Sequence, residues 1–357
     1  MGGTGSSRSR RRYRRARRLR SGRRGVVAVI GTLLSLLVFF ALFGIFLTQY
    51  LPVWMSDNES QLVTSAATSF LSFKSQVDSQ YSLDGPPTLG TPFTISSNGV
   101  PLLASPTLAT LSFIPQTCPN PTGYSASFYS KGVVGASASN YGQPINPAFC
   151  VFENQTLSVG PGGSGQYTQR IASGVLQLVI PNRYYTPETF YYEDDGVVQS
   201  QVGGYQVMAF APPFNVTRAS GNTTVTSSLL FLTGNSTSWI GQGSVEAYSH
   251  LLFSQEVTSN GVYVPASSSY TPFSYVFEVG TEYPCAWSTF LEGQLAGLPT
   301  SQYNTYLPGT TNATLPYTGS CNNPAGTTTV LALTITSVNF ATLFYAGVEV
   351  TVAVGGT

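Results

Sequence analysis

Hydrophobic and polar positions divide this chain into three regimes. From Val26 to Met55 no charged residue occurs, and Val26 through Thr48 is almost continuously apolar. That core matches the roughly 20 residues a bilayer-spanning helix requires. A buried soluble helix is the alternative, and an uninterrupted apolar run preceded by eleven arginines argues against it. After Pro52 the pattern becomes one-sided and helical. Leu62, Ala66, Phe70, Phe73 and Val77 recur at three- and four-residue spacings among polar residues. Pro52 lacks a backbone donor and predicts a kink at the junction. Gly85-Pro86-Pro87 predicts the end of the helix.

From about Pro87 a period of two takes over. Val348, Val350, Val352 and Val354 alternate with Glu349, Thr351 and Ala353, and Leu331, Leu333 and Ile335 alternate with Ala332, Thr334 and Thr336. Shorter β-branched and aromatic runs at 174–180, 205–210 and 228–232 lie between Gly- and Ser-rich turns. Asn260-Gly261, flanked by Glu256-Val257-Thr258 and Val262-Tyr263-Val264, predicts a tight hairpin, and Asp195-Gly196 a second. The fold class expected is mainly β with one long N-terminal helix, a transmembrane and stalk helix followed by an antiparallel β-sandwich-like extracellular region. The boundaries read as 1–25 for an Arg-rich cytoplasmic leader, 26–50 for the transmembrane helix, 51–84 for a juxtamembrane helical stalk and 85–357 for one or two β domains. Residues 297–328, rich in Thr, Pro, Asn and Gly, are expected to form a long surface loop tied down at Cys321. Residues 160–165 read as a glycine-rich loop, without the Lys-Ser/Thr and helix start of a phosphate cradle.

Charge sharpens this division. The formal net charge of +1 averages two regions: eleven of the sixteen basic residues precede Gly25, and all fifteen acidic residues follow it. The positive-inside rule then places the arginines in the cytoplasm and everything after Tyr50 outside. Lipid contact by the arginines is a natural by-product, and no nucleic-acid module accompanies them. Charged residues are only 9% of the chain, against roughly 25% in an ordinary soluble protein. A surface hydrated by neutral hydroxyls and amides has few ion pairs to lose in acid.

The junction Arg23-Arg24-Gly25, followed at once by Val26-Val27-Ala28-Val29-Ile30-Gly31-Thr32-Leu33-Leu34, resembles that of archaeal type IV pilin-like proteins, which carry a class III signal peptide. The resemblance covers roughly Arg23 to Thr48. It implies cleavage by a prepilin peptidase between Gly25 and Val26, and self-association through the apolar helix. Ile30 stands where bacterial type IV pilins carry glutamate, a residue archaeal members usually lack. An uncleaved signal anchor has the same outward pattern.

Four cysteines, Cys118, Cys150, Cys285 and Cys321, lie on the expected outer side, without the close pairs of a zinc site. Three pairings are open; Cys118–Cys150 and Cys285–Cys321 are favoured as nearest in sequence, and free buried thiols are the alternative. Asn-x-Ser/Thr sequons at Asn58, Asn154, Asn215, Asn222, Asn235 and Asn312 admit glycosylation, although Ser and Thr are so common that chance explains most of the count.

Chemistry is thinly represented. His250, in an apparent strand, is the only histidine, so it reads as a structural or surface residue rather than a catalytic base. Glu193-Asp194-Asp195 has the oxygens for a cation but reads more simply as a solvated hairpin turn. Glu188 and Glu193 have the composition of a glycosidase pair without a sign that they share a cleft. No cofactor is implied and no catalytic residue is assigned. The leading expectation is a membrane-anchored cell-surface structural or adhesion protein, a pilin-like subunit. Next comes a permanently anchored module binding a carbohydrate or surface protein, with Tyr184, Tyr185, Tyr191, Tyr192 and Trp239 available to stack on sugars. An extracellular enzyme comes third.

Overall fold

The computed structural model describes residues 29–80, 87–115, 151–159, 165–260, 262–264, 269–271, 273–306, 321 and 329–354. The chain divides into two compact units, Met1–Asp57 and Asn58–Thr357. Among the described residues one helix, Val29–Gln80, is long and apolar enough to cross a membrane.

In the first unit the helix leaves its apolar side chains exposed from Val29 through Ile45, with phenylalanine pairs along it such as Phe39 and Phe43 stacked at 6.0 Å. Pro52 does not break it. Proline cannot donate to the carbonyl four residues back, and its ring crowds that carbonyl. The chain absorbs this with a π turn at Phe46–Tyr50, where the Leu51 N–H donates to the Phe46 carbonyl. The irregularity expected at Pro52 is therefore a local widening.

In the second unit the segment expected as a stalk is built into the core from Asn58 onward. All five positions of its apolar stripe, Leu62, Ala66, Phe70, Phe73 and Val77, are buried. Strands from two sheets receive them. The larger sheet is ordered β1 (Leu89–Thr94), β12 (Ser244–Asn260), β17 (Thr329–Val354), β15 (Phe273–Thr281), β3 (Val151–Val159), β4 (Gly165–Ser173). On β17 also pair β10 (Asn222–Thr233), itself joined to β9 (Asn215–Ala219), and β16 (Tyr303–Tyr306). The smaller sheet is ordered β11 (Thr237–Ile240), β2 (Thr110–Ile114), β5 (Val175–Ile180), β6 (Glu188–Glu193), β7 (Gly196–Gln201), β8 (Gln206–Phe210). Phe70 meets Phe93 of β1 at 5.1 Å and Phe190 of β6 at 5.7 Å, while Phe73 meets Tyr192 of β6 at 5.3 Å. The helix thus contributes one apolar stripe to both sheets, each buried aromatic adding about 1.5–3 kcal/mol of transfer free energy. A second core forms where the short helix Pro284–Leu295 lays Trp287, Leu291 and Leu295 among Phe277 of β15 and Leu331, Leu333 and Ile335 of β17.

The two alternating runs at 331–335 and 348–354 are one 26-residue strand. Ser337, at φ 62°, interrupts it; odd positions are buried at Leu331, Leu333 and Ile335 and again at Ala341 and Leu343, and the buried set runs on even positions only from Ala346 through Val348, Val350 and Val352. One strand thus serves both cores: through Ala341 it buries side chains in the second, and from Ala346 onward in the first. Most pairings are antiparallel, as expected. The exception is β10 on β17, which is parallel from Thr223↔Val338 to Thr233↔Glu349.

Two local expectations change. Val262-Tyr263-Val264 does not fold back on 256–258: as β13 (Val262–Val264) it pairs with β14 (Ser269–Thr271). β12 instead continues along β17 to Asn260↔Phe340. A long tertiary pairing outweighs the local turn signal. Within the expected loop 297–328, residues 303–306 are strand β16; residues 307–320 and 322–328 lie outside the described residues.

Gly347 is a point of close approach between aromatic rings in the β10–β12–β17 region. A Cβ there would sit 2.5 Å from ring carbons of both Phe231 and Phe253. Gly347→Val is expected to lower stability by about 2–3 kcal/mol through overpacking, read as a drop in the thermal unfolding midpoint. An unchanged midpoint would mean that the two rings can part freely.

Candidate functional site

The polar residues that matter most line up on the helix. Glu59 precedes the apolar stripe in phase with it and is fully buried. Its carboxylate accepts from Thr107 Oγ1 at 2.5 Å, from the Tyr184 and Tyr185 N–H groups at 2.7 Å each, and from the Arg183 N–H at 3.1 Å. Three successive backbone donors converge on one side chain, the arrangement known as an anion nest. Burial pushes the Glu59 carboxyl up, but the Thr107 hydroxyl and the three N–H groups together hold it below the ordinary value. This fixes the 181–187 loop to the part of the helix at which the chain enters the unit.

At the other end of the helix the acidic triplet corrects the sequence reading. Glu193, Asp194 and Asp195 are buried, not a solvated turn. β6 and β7 form a hairpin whose central residues are Asp194 (φ 44°) and Asp195 (φ 61°), with Glu193 paired to Gly196. Positive φ at both central positions is the primed turn that matches strand twist. The turn is therefore one residue earlier than Asp195-Gly196.

Each acid has a separate environment. Asp195 accepts from Lys74 Nζ at 3.0 Å, Tyr192 Oη at 2.9 Å and Ser228 Oγ at 3.0 Å. Lys74 also lies 3.2 Å from Asp78, so one ammonium serves two carboxyls. Burial and the nearby Asp195 raise Asp78 to about 7 despite that ammonium. Glu193 accepts from Thr281 Oγ1 at 2.6 Å and Trp287 Nε1 at 2.8 Å, and burial pushes it up to about 7. Neither oxygen of Asp194 has a hydrogen-bond partner, and burial raises that carboxyl well above its ordinary value. These groups point to separate partners, and among the described residues no group of three or more His, Cys, Asp or Glu is arranged to hold a metal.

The raised carboxyls set a pH dependence. A buried acid that holds its proton more tightly when folded stabilises the fold most below its unfolded value, about 4.5 for Glu193, and that contribution fades as pH rises to about 7. For Glu193 alone this amounts to about 3 kcal/mol. Glu59 works in the opposite sense, its contribution being lost as pH falls below about 4.5. The thermal midpoint is therefore expected to be higher at pH 5 than at pH 8 and to decline again in stronger acid. A midpoint that rises steadily from pH 5 to 8 would contradict the burial of Glu193.

The remaining candidates disperse. Glu188 and Glu193 are five residues apart on β6, an odd spacing that turns them to opposite faces. Glu188 binds Gln199 and Gln201. His250 is exposed on β12, opposite Glu349. Of the aromatics proposed for sugar stacking, Tyr191 and Tyr192 are buried, whereas Tyr184, Tyr185 and Trp239 are exposed. Tyr191 packs on Tyr283 at 4.3 Å, and burial pushes its hydroxyl up to about 12. Cys285 and Cys321 form a disulfide with a Cα–Cα distance of 5.6 Å, pinning the short helix to the segment expected as a loop. Cys118 and Cys150 lie outside the described residues, as do Gly25, Val26 and Asn312, and the side chain of Asn154 is not described. Asn215, Asn222 and Asn235 are exposed, while the Asn58 side chain donates to the Asn98 carbonyl at 2.8 Å.

Glu59 and Lys74 were missed by sequence reading. The available signal was a charged side chain in phase with, or at the edge of, the stripe Leu62-Ala66-Phe70-Phe73-Val77. The fold defines a class: a β-rich unit whose core helix belongs to a longer helix with an exposed apolar part. Compared with known proteins, the chain matches no protein-family model, no curated protein and no solved structure.

Proposed function

We propose that this chain is a membrane-anchored cell-surface structural protein, a pilin-like subunit with a short arginine-rich tail in the cytoplasm and the β unit outside. The observation that carries the reading is the helix Val29–Gln80. Its apolar N-terminal part has no buried residue across its most hydrophobic window, while its later part supplies core to the β unit. Uncovered leucine, valine and phenylalanine of this length require lipid or copies of the same helix. The junction Arg24-Gly25-Val26 supports release of the leader by a prepilin-type peptidase. Before assembly the helix rests in the bilayer; in a filament the same surface packs against its copies.

Intact-mass and N-terminal analysis of protein recovered from its native cell surface tests this. A mature chain beginning at Val26 is the expected result. A chain retaining Arg8 to Arg24 would overturn the processed-subunit reading and leave a permanent signal anchor displaying the β unit as a binding module.

A further inference from the structure

Eleven large hydrophobic side chains of the second unit are exposed among the described residues, and their distribution is uneven. Seven of them, including Leu102, Tyr184, Tyr185, Val202, Tyr205 and Ile240, lie on four turns at one end. The ladder of contacts fixes which end. Glu59 binds the 183–185 backbone, Asn58 binds Asn98, the Val202 N–H donates to the Pro187 carbonyl, and the Gly243 N–H donates to Ser96 Oγ. This is the end at which the chain enters the unit, at Asn58.

Leu102 is the least expected member. The turn Val100-Pro101-Leu102-Leu103 closes with the Leu103 and Ala104 N–H groups on the Val100 carbonyl, and Leu102 has φ 67°. That position of a type II turn favours glycine, because a Cβ there is strained. A leucine at this site bears backbone strain and also presents its whole side chain to solvent. The turn itself does not require an exposed leucine, and backbone strain at such a side chain is a starting point for assigning it a contact.

Charge points to the partner. From Asn58 onward the chain has fourteen acidic residues (fifteen less Asp57) and five basic ones. The four turns, 96–106, 181–187, 202–205 and 240–243, contain no acid and one base, Arg183. Its guanidinium reaches Ser105 of the first turn at 3.5 Å. An acid-free face carrying tyrosines, one arginine and a protruding leucine on an otherwise acidic unit has the composition of residues at a bilayer's headgroup level.

We propose that this face rests on the membrane that holds the apolar helix, with Leu102 inserted at the headgroup–acyl boundary and Tyr184, Tyr185, Tyr205 and Arg183 among the headgroups. The inference rests on the membrane reading of the helix given above. Its consequence is that the unit docks flat on the bilayer before assembly rather than swinging freely on its helix.

The test uses the full chain in nanodiscs of phosphatidylcholine with phosphatidylglycerol. Nitroxide labels are placed singly through Leu102→Cys, Leu252→Cys and Val38→Cys, and their accessibility to oxygen and to a water-soluble nickel chelate is compared. The expected result is oxygen-favoured accessibility at positions 102 and 38 and nickel-favoured accessibility at 252. Nickel-favoured accessibility at 102 with 38 in lipid would overturn the docking face alone; 38 in water would overturn the membrane reading and this inference with it. Dipolar broadening at 102 would instead assign the face to a second copy and overturn lipid contact. In detergent, Leu102→Gly is expected to leave the thermal midpoint unchanged or raise it by a few degrees. A fall would give the leucine a folding role and contradict the proposal.

Discussion

Glu59→Ala is expected to destabilise the β unit by about 3–5 kcal/mol, a large effect for one polar side chain. The carboxylate is the acceptor for three consecutive backbone N–H groups, at Arg183, Tyr184 and Tyr185, and for the Thr107 hydroxyl. Removing it strands those donors, each at about 1–3 kcal/mol, with entering water recovering part of the loss. Glu59→Gln should lie between, because the carboxamide keeps one acceptor oxygen but turns an NH₂ toward N–H donors. Chemical unfolding in detergent gives the magnitudes, and amide exchange at 183–185 gives the location: faster exchange there in Glu59→Ala is expected. A loss under about 0.5 kcal/mol would mean that the loop is held by something other than this carboxylate. Loss of Glu59 should also disturb the face proposed to meet the membrane, since the same loop carries Tyr184 and Tyr185.

Lys74→Met should cost a similar amount, about 3–5 kcal/mol, for the opposite reason. It leaves Asp195, fully buried, without the ammonium 3.0 Å away. The partner change Asp195→Asn suits the turn, since asparagine accepts positive φ and keeps hydrogen-bonding capacity toward Tyr192 and Ser228. The double variant is therefore expected to recover most of the loss. Asp78→Asn should cost little, because that carboxyl is half-exposed and shares the same lysine. A double-mutant cycle measures the coupling; additive losses at positions 74 and 195 would contradict a direct buried pair.

What the sequence disclosed, and what it hid, follows from which interactions are local. The helix stripe Leu62-Ala66-Phe70-Phe73-Val77 and the alternation at 331–335 and 348–354 were legible, because periodicity records the face each element buries. The acidic triplet was misread because acids beside a glycine look like a solvated turn, and only the fold brings Lys74, Thr281 and Trp287 to them. The Asn260-Gly261 signal failed for a related reason: β17 offers β12 a far longer partner than a local hairpin could. Glu59 was legible in principle as a charge in phase with an apolar stripe. Its loop partners more than 120 residues away were not. The cluster of exposed hydrophobics needed the structure, since Leu102, Tyr184, Val202 and Ile240 meet only after folding.

The proposed surface role requires the β unit to lie outside the cell. Leu252→Cys, an exposed position on β12, can be labelled with a membrane-impermeant maleimide on intact cells that make the protein. Labelling as complete on intact cells as after lysis is the predicted result, with the product remaining in the membrane or filament fraction. Labelling that appears only after lysis would place the unit inside and contradict the surface-protein reading.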